Sequence, residues 1–157
     1  MSWPRVRSTR SVFSIAMAAA LVSAAATGLT EEVEELRLAR HDYILNCSGC
    51  HRSDGRGVPG AVPSFAALES ILCASGGREY VLRVPGVANA PVDDRRLAKL
   101  LDYVVLELAG IEDLQRFDEA EVARYRRVPM IDPLAARRSL PIAPGAPDES
   151  PCTQIGE

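Results

Sequence analysis

Cys47-Ser48-Gly49-Cys50-His51 is the stretch whose reading decides the rest of the chain. Two thiols stand three positions apart, and an imidazole follows the second directly. A C-x-x-C pair by itself suits a thiol redox site or half of a zinc site. A thiol redox site wants a preceding strand in a βαβ context, whereas the residues ahead of Cys47 carry a helical pattern. A zinc site wants a second pair of ligands at metal spacing, and the remaining cysteines, Cys73 and Cys152, stand alone.

His51 turns the balance to a third chemistry. C-x-x-C-H is the attachment signature of c-type haem. The two thiols can add across the two vinyl groups on one porphyrin edge, and the next residue then lies under the iron as its proximal ligand. One covalent haem c is the expected cofactor, with Cys47 and Cys50 as anchors and His51 as metal ligand.

Upstream, Glu31 to about Leu45 read as a helix. Thr30 can cap it, and Glu31 and Glu32 in the first turn suit the dipole. Val33, Leu36, Ala39 or Arg40, Tyr43 and Ile44 recur at spacings of three and four. Downstream, Arg52 to Phe65 hold three glycines and two prolines, which forbid a regular helix and predict a loop with fixed bends. Phe65 to Leu72 read as a short helix ended by Gly76-Gly77. Arg78 to Val84 read as a strand or a helical turn, and Pro85 to Pro91 as another loop. Asp93 or Asp94 opens the clearest helix, with Leu97, Leu100, Leu101, Val104, Val105 and Leu108 as its stripe and Gly110 as its stop. A last amphipathic segment starts at Asp118, where Asp118 and Glu121 form a capping box. No internal repeat is visible.

The chain has 157 residues, suited to one modest domain. Residues 1–26 read as a signal peptide: Arg5, Arg7 and Arg10 precede a short apolar core from Val12 to Val22, then the small residues Ser23-Ala24-Ala25-Ala26. An uncleaved anchor is the other reading. Removing that segment removes three arginines and no acids, so 15 basic residues face 21 acidic ones and the formal charge moves from −3 to −6. Such a chain is not a nucleic-acid binder on charge grounds. The mature chain keeps no tryptophan and has no second apolar stretch of membrane length. Export implies an oxidising compartment, in which Cys73 and Cys152 either form a disulfide or remain separate thiols. From Leu140 onward proline and short polar residues predict a flexible tail. The domain plan is therefore 1–26 signal peptide, 27–112 haem domain, 113–139 C-terminal helical extension and 140–157 tail.

Over about residues 31–109 the sequence resembles the class I c-type cytochromes. A helix enters C-x-x-C-H, a Gly/Pro loop follows, and a leucine-rich helix with an aromatic closes the fold. The resemblance implies an all-α, cytochrome c-like fold around one haem, with an irregular proline-rich tail. It also implies that the first and last family helices cross near a haem edge, marked here by Tyr43 and Tyr103. It implies a proline carbonyl that accepts a hydrogen bond from the proximal histidine. Pro63, twelve residues after His51, matches by spacing; otherwise it only turns the chain. One departure stands out. The family places a methionine ligand in the loop before the last helix, and Arg83-Val84-Pro85-Gly86-Val87-Ala88-Asn89-Ala90-Pro91 contains none. Met130, beyond that helix, is the candidate sixth ligand. His41, Asn89, a water or no ligand at all are the alternatives.

The function implied is single-electron transfer in the periplasm, between a donor dehydrogenase and an acceptor cytochrome or oxidase, with no catalysis of its own or as a subunit of an oxidoreductase complex. The alternative is an accessory haem subunit or small-ligand binder with an open distal iron. The late arginines Arg116, Arg124, Arg126, Arg127, Arg137 and Arg138 form a solvated face or a docking surface.

Overall fold

The computed structural model describes residues 31–142 and Cys152. Residues 1–26, read from sequence as a signal peptide, and most of the expected tail lie outside the described residues. The chain divides into two units, Met1–Glu35 and Leu36–Glu157. In the first, the described residues 31–35 are helical.

The second unit is all-α among its described residues. Helix α1 covers residues 36–46. It is followed by α2 (Ser48–His51), a 3₁₀ turn (Phe65–Ala67) leading into α3 (Leu68–Cys73), then α4 (Gly77–Arg83), α5 (Pro85–Ala88), α6 (Asp94–Tyr103), α7 (Glu119–Tyr125) and α8 (Pro133–Arg138). The cytochrome c-like helical fold expected from sequence is the fold found.

Helix α6 is the spine. The Asp93 carboxylate accepts from the Arg96 amide at 2.8 Å and fixes its start. Leu97, Leu100, Leu101, Val104 and Val105, at helical spacing, are all buried. The last turn widens to a π-helix over Val104–Leu108, where Ala109 donates to the Val104 carbonyl. Gly110 at φ +70° then ends it, a backbone angle that favours glycine.

α1 crosses this spine through Tyr43, 1% exposed, whose ring centroid lies 5.8 Å from that of Tyr103. The pair expected to mark the helix crossing is thus in contact. The stripe on α1 is narrower than its sequence pattern: Ala39, Asp42 and Tyr43 are buried, whereas Leu36 and Ile44 are largely exposed. Asp42 enters the core because Arg96 pairs with both its oxygens, at 2.5 and 3.0 Å. The buried charge is matched and bidentate, as a buried carboxylate must be.

One stretch left open by the sequence is settled, and another resolves otherwise than expected. Arg78 to Arg83 are helical, so the strand alternative falls. Pro85–Ala88 form a helical turn with Pro85 at its first position, where the missing N–H costs nothing. α8 falls within the expected C-terminal helical extension, although no helix was placed there residue by residue; Asp132 caps it by accepting from the Ala135 amide. The capping box on α7 is half formed. Asp118 accepts from the Glu121 amide at 2.8 Å, but the Glu121 carboxylate binds Arg78 instead, at 2.7 and 2.5 Å.

α7 packs closely on α6 and also on α4. Its Val122 is fully buried, so the region after residue 113 contributes to the core. The structure also joins Cys73 to Cys152, 79 residues apart, in a disulfide. Of the two readings left open by the sequence, the bridge is the one found, and it ties the C-terminal region to the end of α3.

Candidate functional site

The C-x-x-C-H motif begins where α1 ends. Cys47 donates its amide to the Tyr43 carbonyl at 2.9 Å, and its own carbonyl accepts from the Cys50 and His51 amides at 3.1 and 2.9 Å. The three functional residues are therefore held on one helical turn attached to a packed helix. Cys47 is half-buried and Cys50 exposed, and neither is in a disulfide.

Burial, with the Asp42 carboxylate and Cys50 acting in the same direction, pushes the Cys47 thiol up to about 11. A redox-active thiol needs the reverse, a lowered value from a nearby cation or helix N-terminus. Among the described residues, no three His, Cys, Asp or Glu side chains come together in a metal-binding group, so Cys47 and Cys50 do not share a zinc-type cluster with other such groups.

After His51 the chain turns through Arg52, whose φ of 64° and ψ of 169° lie in a region otherwise left to glycine. The Tyr43 hydroxyl donates to the Arg52 carbonyl and holds it there. The loop then folds back. Gly57 donates to the His51 carbonyl at 3.0 Å, and Phe65 to the Gly55 carbonyl at 3.0 Å. Gly57, at φ +65°, has no room for a side chain: a Cβ there would lie 2.7 Å from the Pro63 carbonyl oxygen and closer still to that of Val62. This close approach brings Pro63 under the imidazole. The Phe65 ring stacks on His51 with centroids 4.6 Å apart.

Burial pulls His51 below the usual histidine value, and the Pro63 carbonyl acts in the opposite direction. That carbonyl falls short of a formed hydrogen bond, because the buried Nδ1 of His51 has no partner. The imidazole thus favours its neutral form, the one that ligates a metal. The hydrogen bond that the resemblance implied between His51 and the Pro63 carbonyl is not formed here.

Cys47 and His51 open onto a cleft with about 540 Å3 of atom-free space, counting its mouth. Phe65, Leu68, Leu72 and Val81 line one part, Gly86, Val87 and Ala90 another, and Leu97, Leu100, Leu101, Val104 and Val105 of α6 form the floor with Phe117. Apart from Cys47 and His51, every lining side chain is pure hydrocarbon or a bare glycine. A carbon-lined cleft with one thiol in its wall, a second on the exposed turn beside it and an unpaired buried imidazole nitrogen fits a covalently tethered porphyrin.

The other candidates lie elsewhere. Met130 is half-buried and its amide donates to the Arg83 carbonyl at 2.9 Å, but it does not line the cleft. His41 and Asn89 are exposed. The late arginines are not one patch. Arg126 is largely buried, and its guanidinium donates to the carbonyls of Ala88, Ala90 and Val92 at 3.1, 2.5 and 2.8 Å, and to Asp94 at 3.1 Å. It fixes the segment that supplies part of the cleft wall. Its targets are backbone carbonyls, which leave no mark in a sequence.

An all-α domain with a helix-borne C-x-x-C-H turn over an apolar cleft defines the c-type cytochrome class. No protein-family profile matches the chain. A cytochrome c-552 of Thermus thermophilus is 49% identical over 132 aligned residues, covering 67% of this chain and 89% of the relative. A second Thermus thermophilus cytochrome c-552 is 49% identical over 118 residues, covering 60% of this chain and 90% of the relative. The chain belongs to the class I monohaem c-type cytochromes, and is an electron carrier of that family. Among the described residues no helix is long and apolar enough to cross a membrane.

Proposed function

We propose that this protein is a periplasmic monohaem electron carrier, accepting single electrons from a dehydrogenase or other donor and passing them to a cytochrome or oxidase. The observation that carries the reading is the placement of His51 and Cys47 in the wall of a hydrocarbon cleft, with Cys50 exposed on the same turn. Cys47 and Cys50 would hold the haem as thioethers, and His51 would ligate the iron. Pro63 would accept from the other ring nitrogen, fixing the tautomer and raising the ligand's basicity. When bound, the haem iron supplies the one-electron ferrous–ferric couple. The surrounding side chains exclude water and set the potential through burial.

Residues 1–26 serve as the export signal in this reading, and the Cys73–Cys152 bridge suits an oxidising compartment. Exposed Cys50 marks the side where a porphyrin edge would meet partner proteins, in small transient contacts. Full-length protein exported by a host with cytochrome maturation machinery tests the proposal. A red, redox-active protein with haem mass added is expected, and Cys47→Ser with Cys50→Ser should lose the covalent haem. Colourless wild-type material with two free thiols would overturn it.

A further inference from the structure

The C-terminal extension displays aliphatic side chains that its own core does not take up. Val128 is 61% exposed, Ile131 101% and Leu134 68%, in a stretch punctuated by Pro129 and Pro133. The backbone that carries them is fixed. Arg83 donates from Nε to the Val128 carbonyl at 2.9 Å, and its own carbonyl accepts from the Met130 amide at 2.9 Å. Asp132 caps α8, and α8 packs on α4. α4 gives Val81 to the apolar cleft, whereas its Glu79 and Arg83 line a separate groove with Arg124, Tyr125 and Val128.

Charge follows the same segment. Arg124 and Arg127 just ahead of Val128 are exposed, as is Arg138, which shares a face of α8 with Leu134 four residues earlier. Residues 124–138 hold five arginines and one aspartate, a net of +4. The rest of the chain beyond residue 26 holds 10 basic and 20 acidic residues, a net of −10. A molecule so divided turns this end towards an anionic surface. Three aliphatic side chains cover only a small part of the roughly 800 Å2 per partner that a specific protein interface needs, and a fully projecting isoleucine would need a matching socket. A lipid surface needs neither. The aliphatic tips can enter the boundary between headgroups and acyl chains, while the long arginine stems keep their guanidiniums at the phosphates.

We propose that Val128, Ile131 and Leu134, together with Arg124, Arg127 and Arg138, seat this protein reversibly on an anionic phospholipid surface. The backbone of the site is already ordered, so binding costs little in conformational entropy. The inference stands apart from haem attachment, and its test reads the same with or without the cofactor.

The test is co-sedimentation of the exported full-length protein with vesicles of phosphatidylcholine alone or mixed equally with phosphatidylglycerol. Wild type is compared with Ile131→Ser, Leu134→Ser and the triple variant Arg124→Gln, Arg127→Gln, Arg138→Gln. All five side chains are exposed, so unfolding midpoints should match wild type. Wild type should sediment with the mixed vesicles at about 50 mM salt and be released at about 300 mM, where the charges are screened. Affinity should fall about tenfold in each serine variant and on the order of 100-fold in the triple variant. Equal binding to pure phosphatidylcholine overturns the proposal. So does unchanged binding in the variants, because an attachment elsewhere, such as an uncleaved N-terminal segment, would then hold the protein. No vesicle binding at low salt also overturns it. A wild-type dimer that Ile131→Ser makes monomeric would then give the surface to a second copy of the chain, and a monomer would leave it to a different protein.

Discussion

Arg126 and Ala90 are separated by 36 residues, yet the guanidinium of one donates to the carbonyl of the other at 2.5 Å. The same side chain holds Ala88, Val92 and Asp94. A short helical turn and the bend after it are thereby fixed against α7, and that segment forms part of the cleft wall. Arg126→Ala leaves three carbonyls without their partner. At about 1 kcal/mol for each, after partial rehydration, stability should fall by about 3 kcal/mol. Arg126→Lys should restore only a minor part, since an ammonium has fewer donors and lacks the planar, spread fork of the guanidinium. Urea unfolding followed by circular dichroism measures both. Equal stability of Arg126→Ala and wild type would refute the clamp.

Gly57 carries the loop past Pro63 at a distance no other residue tolerates. Gly57→Ala adds a clash to an unfavourable positive φ, and should cost about 3 kcal/mol, comparable with overpacking in a core. It should also move the Pro63 carbonyl away from His51. A less basic imidazole stabilises ferric iron less, so the reduction potential of the matured protein should rise. A redox titration of Gly57→Ala against wild type gives the sign. A potential that falls would mean Pro63 does not tune the ligand.

Tyr43 offers a pH signature in the alkaline range, where burial also raises Tyr80. Burial, helped by Cys47, Tyr103 and Asp54, pushes its phenol up to about 12 from an ordinary value of 10. The folded state therefore holds its proton longer than the unfolded chain does. Stability from this group is intact below about pH 10 and is lost as pH rises from there towards 12. Wild type should show an alkaline drop in unfolding midpoint over that window, and Tyr43→Phe should flatten it. The same variant loses the hydroxyl that holds the Arg52 carbonyl, so its stability at neutral pH should fall by about 1 kcal/mol. An identical alkaline profile in the two proteins would remove Tyr43 as the cause.

What could be read from the sequence follows from how locally each feature is encoded. α6 was legible because its cap and its apolar stripe lie within one stretch of chain. The attachment turn was legible because three chemically distinctive residues are adjacent. Pro63 was singled out through the family resemblance, which its spacing from His51 matches. By contrast, Arg126 read as part of a solvated or docking arginine face, and Arg78 carried no assigned role. Arg78 donates to the Gln115 and Arg116 carbonyls and sits 4.1 Å over the Phe117 ring, partners some forty residues away in the chain. α4 was ambiguous because Tyr80, Val81 and Val84 suit strands as well as helices, and packing against α3 decided it. Glu121 was drawn from its capping role by Arg78, a tertiary contact that outcompetes a local one.

The remaining prediction concerns Cys73 and Cys152. Their bridge closes a loop of 79 residues, and removing it frees a long segment in the unfolded chain. The chain-entropy relation sets the loss at about 4–5 kcal/mol for an unstrained bond. Cys152→Ser should therefore lower stability by up to that amount. The attachment turn makes no use of this bridge, and Cys73 and Cys152 do not line the cleft. The variant should still attach haem and show an unshifted spectrum, while unfolding at lower urea. Cys73→Ser should behave alike, and the double variant should be no worse than either single one, since both remove the same cross-link. Clear additivity of the two substitutions would mean that the cysteines act separately and are not joined in solution.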